Sequence, residues 1–178
     1  YFEGMHSQSK CLLFESGMSA ISAALSSVVS KDCKVITFGN NYRKTKQIID
    51  EYEDLGVLES LNYVRYKDLL EEPVKGEKII FFLESPSNPF LRLANILDIR
   101  KNYPSAVIIL DFTLQGLLND KNIFDCVDIL VSSCTKYIGG HNDLIGGLVV
   151  SITNSFYEKI WIYRSMCGGN LNANSAFL

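Results

Sequence analysis

Short apolar runs alternate with longer segments of helical period along this chain, and that alternation predicts the elements. Lys10–Phe14, Lys34–Thr37, Leu61–Val64, Glu77–Glu84, Ala106–Asp111, Ile129–Ser133 and Gly147–Ser151 read as strands. Several are rich in Val, Ile and Leu without polar alternation, as strands covered on both faces must be. Between them Met18–Val29, Lys44–Leu55, Ile96–Tyr103 and Ser155–Met166 read as helices; in the second, Ile48, Ile49, Tyr52 and Leu55 recur near the helical repeat and make one buried face. Strands separated by helices predict an α/β fold, a mostly parallel sheet flanked by helices. No repeat, low-complexity tract or Gly/Ser linker divides the chain.

Composition narrows the classes of function. The 178 residues are 47% hydrophobic and 21% charged, enough for one sizeable core, and 17 Lys+Arg against 20 Asp+Glu leave a net charge of −3 with no basic patch. Nucleic acid is therefore not the expected partner. No apolar run approaches the ~18 residues of a membrane-spanning helix, so no membrane association is expected either. The five cysteines (Cys11, Cys33, Cys126, Cys134, Cys167) are odd in number and widely spaced, and His6 and His141 stand apart. A reduced, cytoplasmic chain without a structural metal follows.

Ligands of such sheets bind beyond the carboxyl ends of the strands, and polar groups gather there. Ser16-Gly17 ends the first strand where a helix begins, so backbone N–H groups could hold an anion; a plain N-cap by Ser16 is the simpler reading. Asp111 ends a buried strand and needs a partner, either a cap or salt bridge or a cationic ring nitrogen. Ser132-Ser133-Cys134-Thr135-Lys136, followed by Gly139-Gly140, suits a phosphate held beside a desolvated amine able to form a Schiff base; an exposed loop lysine is the alternative.

Taken together, Ser16-Gly17-Met18-Ser19-Ala20-Ile21, Glu84-Ser85-Pro86-Ser87-Asn88-Pro89, Asp111 with Thr113, and Ser133-Cys134-Thr135-Lys136-Tyr137-Ile138-Gly139-Gly140-His141 with Asp143 resemble the Cys/Met-metabolism family of pyridoxal-phosphate enzymes, collinearly over nearly the whole chain. The family includes cystathionine γ-synthases, cystathionine β- and γ-lyases, methionine γ-lyases and O-acetylhomoserine sulfhydrylases. The resemblance implies the large domain of a fold-type-I pyridoxal-phosphate enzyme and pyridoxal 5'-phosphate as cofactor. It implies that Lys136 carries the cofactor as an internal aldimine and shuttles protons, and that Asp111 pairs with the pyridinium nitrogen, with Thr113 beside it. The backbones of Gly17 and Met18 and the hydroxyls of Ser133 and Thr135 would hold the phosphate. Tyr42 would stack on the ring and serve catalysis, and Asn88 would lie near the phenolic oxygen.

The implied reaction is β- or γ-elimination or γ-replacement on a small-molecule sulfur amino-acid substrate, in a homodimer or homotetramer. Residues 1–178 would make up most of the cofactor-binding domain, Tyr1–Gly4 ending a helix before the first strand, with the family's N-terminal segment and C-terminal small domain outside these residues. Three positions depart from the family's usual pattern: Phe112 replaces Asn between Asp111 and Thr113, Ser132 replaces His before Ser133, and Arg43-Lys44 replaces Gly-Gly after Tyr42. A non-catalytic relative that keeps the fold for binding or assembly, and another fold-type-I enzyme such as an aminotransferase, are the competing readings.

Overall fold

The computed structural model describes residues 9–39, 41–63, 65–71, 73–76, 78–116 and 121–177. Seven strands form one sheet: β1 (Lys10–Phe14), β2 (Cys33–Phe38), β3 (Leu58–Tyr63), β4 (Ile79–Glu84), β5 (Val107–Asp111), β6 (Ile129–Ser133) and β7 (Gly147–Ser151). Their order is β1-β7-β6-β5-β4-β2-β3. The ladder from β3 to β6 is parallel, and β7 runs antiparallel to both β6 and β1. The expected α/β class with a mostly parallel sheet is thus what the chain forms.

Helices α1 (Gly17–Val28), α2 (Arg43–Asp54), α3 (Tyr66–Glu71), α4 (Ile96–Asn102), α5 (Lys121–Phe124), α6 (Asn154–Cys167) and α7 (Ala173–Phe177) complete the described chain. Four of them match the periodic segments to within a residue or two. Helices α3, α5 and α7 were not anticipated, being only four to six residues long and too short to show a helical period. Strand β3 starts three residues earlier than expected because Leu58-Glu59-Ser60 at this sheet edge alternates buried and exposed positions and so lacks the continuous apolar run of a central strand. The predicted Val64 and Glu77 ends of two strands, and Tyr1–Gly4, lie outside the described residues.

Two cores sandwich the sheet, and the period-2 pleat assigns each strand residue to one of them. Ile80, Phe82, Ile109, Ile129, Val131, Leu12 and Phe14 pack with Ala20, Ala24 and Leu25 of α1 and Ile160 of α6. Phe81, Leu83, Ile108, Leu110, Leu130 and Leu148 pack on the opposite face with Ile99 of α4 and Leu69 of α3. Continuing the first alternation by one step brings Glu84, Asp111 and Ser133 to the carboxyl edge on the α1 face. Adjacent register strengthens this: Glu84 pairs with Asp111, Asp111 with Val131, and Ser133 with Gly147.

The amino ends of the same strands are closed. Arg100 donates to Asp128 Oδ2 at 2.7 Å and to the carbonyls of Cys126, Pro104 and Ala106, while Ile108 N–H donates to the same carboxylate at 2.8 Å. Charge there is consumed by structure, whereas the carboxyl edge keeps polar groups available.

Candidate active site

At the carboxyl edge a cavity of about 400 Å³ is lined by Ser16, Gly17, Met18, Tyr42, Glu84, Asn88, Asp111, Thr113, Ser133, Thr135 and Lys136, with Ile21, Leu114 and Ile145 supplying apolar wall. Every site residue expected from the sequence lies on it. They come from five separate segments, and the sheet register is what unites them.

One end of the cavity is rich in donors. Ser16 caps α1, its Oγ accepting from Ser19 N–H at 3.1 Å, and its carbonyl accepts from Ala20 N–H at 3.1 Å. The simpler capping reading of Ser16 therefore holds, and it leaves the N–H groups of Gly17 and Met18 without partners among the described residues. No acidic side chain occupies the first turn of α1, so the positive end of the helix stays uncompensated. The backbone approach is tight: a Cβ on Gly17 would lie 2.8 Å from Ser133 Cβ, and one on Gly147 only 2.1 Å from the Ser16 carbonyl oxygen. Only glycine at these two positions lets the start of α1 settle against β6 and β7.

Ser133 and Thr135 frame this end with hydroxyls. Thr135 Oγ1 accepts from Gly146 N–H at 3.1 Å, which fixes the side chain while its own O–H remains free to donate. Lys136 follows in a π-helical turn, Cys134–Ile138, interrupted at Lys136 (φ −91°, ψ −110°); such turns concentrate at functional positions. The turn closes through Gly139 N–H to Cys134 O and Gly140 N–H to Lys136 O, both 2.7 Å; Gly140 takes a left-handed φ of 79° that favours glycine, and a Cβ on Gly139 would lie 3.0 Å from the Cys134 carbonyl oxygen. The Lys136 side chain is exposed, which matches the exposed-lysine alternative and not the desolvated one. Cys134 points into the opposite core, where burial pushes its thiol up to about 11.

The other end carries carboxylates. Asp111 is 5% exposed; one oxygen accepts from Thr113 N–H at 2.9 Å, and no cation pairs with it among the described residues. Burial raises its pKa against the opposing bonds from Thr113. A buried carboxylate costs folding energy unless a positive group meets it, so the cavity is built for a cation at this point. Thr113 joins the two ends: its N–H binds Asp111 and its Oγ1 accepts from Ser133 N–H at 2.9 Å. Its hydroxyl oxygen accepts from backbone while its side chain also bonds Asp111, so Thr113 orders the site in addition to lining it.

Glu84 was singled out only as part of a motif, yet it is central. Its Oε2 accepts from Tyr42 N–H at 2.6 Å and its Oε1 from Asn88 N–H at 2.9 Å. Burial first, and Asp111 after it, lift its pKa to about 7 against those two donors. Its neighbouring Pro-rich loop reads as a turn in sequence, and nothing local marks its carboxylate as the acceptor for a residue 42 positions away. Tyr42 itself is 45% exposed and lines the cavity.

The three departures from the family pattern are explained by side-chain direction. Phe112 is fully buried in the core on the face away from α1, and Ser132 is buried on that same side, its Oγ without a hydrogen-bond partner among the described residues. Arg43 lines a separate polar cavity with Lys46, Asn41 and Asn62, and Lys44 is exposed. None of the three changes the lining of the main cavity.

A mostly parallel sheet with an α1 N-terminus, a buried strand-end aspartate and a lysine on one cavity defines a class, the pyridoxal-phosphate proteins of this α/β architecture. Comparison with known proteins narrows the class: the family model for Cys/Met metabolism PLP-dependent enzymes matches residues 3–178, and the chain belongs to that family. It is 33% identical over 173 residues to cystathionine gamma-synthase 1, chloroplastic, of Arabidopsis thaliana, covering 94% of this chain and 30% of that protein. It is 28% identical over 171 residues to cystathionine gamma-lyase of Bacillus subtilis (strain 168), covering 93% of this chain and 44% of that one. Among solved structures, cystathionine gamma-lyase from Lactobacillus plantarum complexed with L-serine superposes with a TM-score of 0.85 at 28% identity, over 97% of this chain and 46% of that one. The chain therefore spans less than half the length of these relatives.

The described residues fit the family's cofactor on two structural grounds. The buried Asp111 lacks a cation, which a protonated pyridine nitrogen would supply, and the unbonded N–H pair of Gly17 and Met18 suits a phosphate.

Proposed function

We propose that this chain is the cofactor-binding domain of a pyridoxal-phosphate enzyme acting on sulfur amino acids or their activated precursors, by β- or γ-elimination or γ-replacement. The observation that supports it most is the convergence of Lys136, Asp111 and the Gly17–Met18 amides on one cavity. Gly17, Met18, Ser133 and Thr135 would hold the phosphate, Asp111 the ring nitrogen, Tyr42 the ring face, and Lys136 the reactive carbon. Asn88, at the opposite wall, would meet the phenolic oxygen. Bound there, the cofactor supplies an electron sink for charge left at the substrate's α-carbon.

The chain's own groups do the rest. Asp111 keeps a proton on the ring nitrogen, since a buried anion favours the positive form of what it faces. The Lys136 amine, on the cavity, would take a proton from the α-carbon and return one further along the substrate. The apolar Ile21 and Leu114 present water-poor surface on the cavity wall.

A small-molecule amino acid is the substrate in this reading, and a second copy of the chain is its partner in a homodimer or homotetramer. No helix among the described residues is long and apolar enough to cross a membrane. A cytoplasmic setting is supported by Cys33, Cys134 and Cys167, which form no disulfide among the described residues.

The test is to load the protein with pyridoxal phosphate, reduce it with borohydride and map the modified lysine by peptide mass spectrometry. Label confined to Lys136, and lost in Lys136→Ala, is the expected result. Label spread over many lysines, or turnover retained by Lys136→Ala, overturns the assignment. Product analysis on candidate substrates then separates elimination, which releases ammonia and a keto acid from one substrate, from transamination, which needs an acceptor keto acid.

A further inference from the structure

Glu84 touches neither end of the cavity as a donor or a counter-charge, yet both of its oxygens are engaged by backbone from two different loops. Tyr42 precedes α2 and has no side-chain cap there, and its N–H to Glu84 at 2.6 Å links the start of α2 to the end of β4. Asn88 belongs to a loop that is already braced: Ser87 N–H donates to Arg92 O, Arg92 N–H to Ser87 Oγ at 3.2 Å, Ala94 N–H to Ser85 Oγ at 3.0 Å, and Ser85 N–H to Asp111 O at 3.1 Å. Glu84 thus joins the start of α2 to the loop after β4, across 46 residues of sequence.

We infer that Glu84 is a positioning residue, its carboxylate setting the distance between the Tyr42 and Asn88 backbones so that both side chains meet the same bound ligand. This rests on reading the cavity as the cofactor site. Catalytic proton transfer is not its role, because both oxygens already accept backbone protons and Lys136 is the group that projects freely into the cavity.

The electrostatic surroundings make the link sensitive to pH. Asp111 lies beside Glu84 on β5, Tyr42 faces it from the start of α2, and Lys136 lines the same cavity. On the other side Arg65 and Arg92 line a smaller cavity of about 140 Å³ that Glu84 also borders; Arg65 is paired with Asp68 and Arg92 lies over the Phe90 ring. Glu84 titrates near neutrality, at about 7. Protonation turns one of its two acceptors into a hydroxyl and weakens that anchor.

The protein carrying isotope-labelled tyrosine and asparagine gives the direct test by nuclear magnetic resonance. The backbone amides of Tyr42 and Asn88 are expected to shift with one shared midpoint near 7, and Glu84→Gln is expected to abolish that shared titration. Pyridoxal phosphate affinity gives the second readout: Glu84→Gln should weaken it by roughly tenfold, but should weaken it distinctly less in a Tyr42→Ala background, where only Asn88 is left to be positioned. Separate midpoints for the two amides, no titration, or an equal loss of affinity in both backgrounds would overturn the inference. Should Glu84→Gln not fold, Glu84→Asp, one methylene too short to hold both amides, serves in the affinity cycle, and the wild-type titration stands without a variant. Amides that co-titrate in a protein that binds no pyridoxal phosphate would refute the cofactor reading and leave the link intact.

Discussion

The two ends of the cavity solve opposite problems. At the β1–α1–β6–β7 end the protein brings backbone together so closely that no Cβ fits, and the free groups are N–H donors. At the β4–β5 end it sets two carboxylates side by side, Asp111 buried with no cation among the described residues and Glu84 half-buried and held by two amides. A site made positive at one end and negative at the other selects a ligand with the reverse polarity, an anion joined to a cation. The difference also shows where each end is vulnerable: one depends on the absence of atoms, the other on the presence of charge.

The largest effect is expected from breaking the donor end. Gly147→Ala places a Cβ 2.1 Å from the Ser16 carbonyl oxygen, so α1 must move, at a cost of about 3 kcal/mol or more in unfolding free energy. Denaturant melts and pyridoxal phosphate titration should show stability and affinity falling together. At the carboxylate end they should part: Asp111→Asn should weaken the cofactor by roughly tenfold to hundredfold while leaving the cofactor-free fold as stable or more so, because an unpaired buried charge is gone. A parallel loss of stability in that variant would mean that Asp111 is a structural partner instead.

Glu84 sharpens the contrast through pH. Its folded-state pKa, about 7, lies above its ordinary 4.5, so its contribution to stability is present below 4.5 and is lost as pH rises through 7. Unfolding free energy should therefore decline across that window and level off above it, on the order of 1–2 kcal/mol once partial exposure is allowed for. Glu84→Gln should flatten the slope. The smallest effect is expected away from both ends, at Ser132→Ala, where a buried hydroxyl without a partner is removed; the melting midpoint should stay the same or rise slightly.

Much of this was legible in one dimension. The apolar runs of β4, β5 and β6 are unbroken because both sheet faces are covered, and the glycine and serine that open α1 follow a strand directly. The residues carrying a strong chemical character, Lys136 and Asp111, stand at strand ends that hydrophobicity alone locates. Glu84 was hidden because its role comes from a carboxylate accepting amides of Tyr42 and Asn88, a relation made by loops that the sequence does not bring together. The short helices α3, α5 and α7 were missed because a segment of one turn or so carries no period.

By itself the amino-acid sequence determined the order of the elements and the chemistry available at each strand end, since burial on two faces requires apolar runs and their ends must be polar. Tertiary structure alone decided which of those ends meet. Register placed Glu84 beside Asp111 and Ser133 beside Gly147, and the pleat turned Phe112 and Ser132 away from the cavity while their neighbours faced it. A pleat reverses direction at every residue, so adjacent positions in sequence can belong to opposite sides of the sheet, and only pairing with the next strand makes distant positions neighbours.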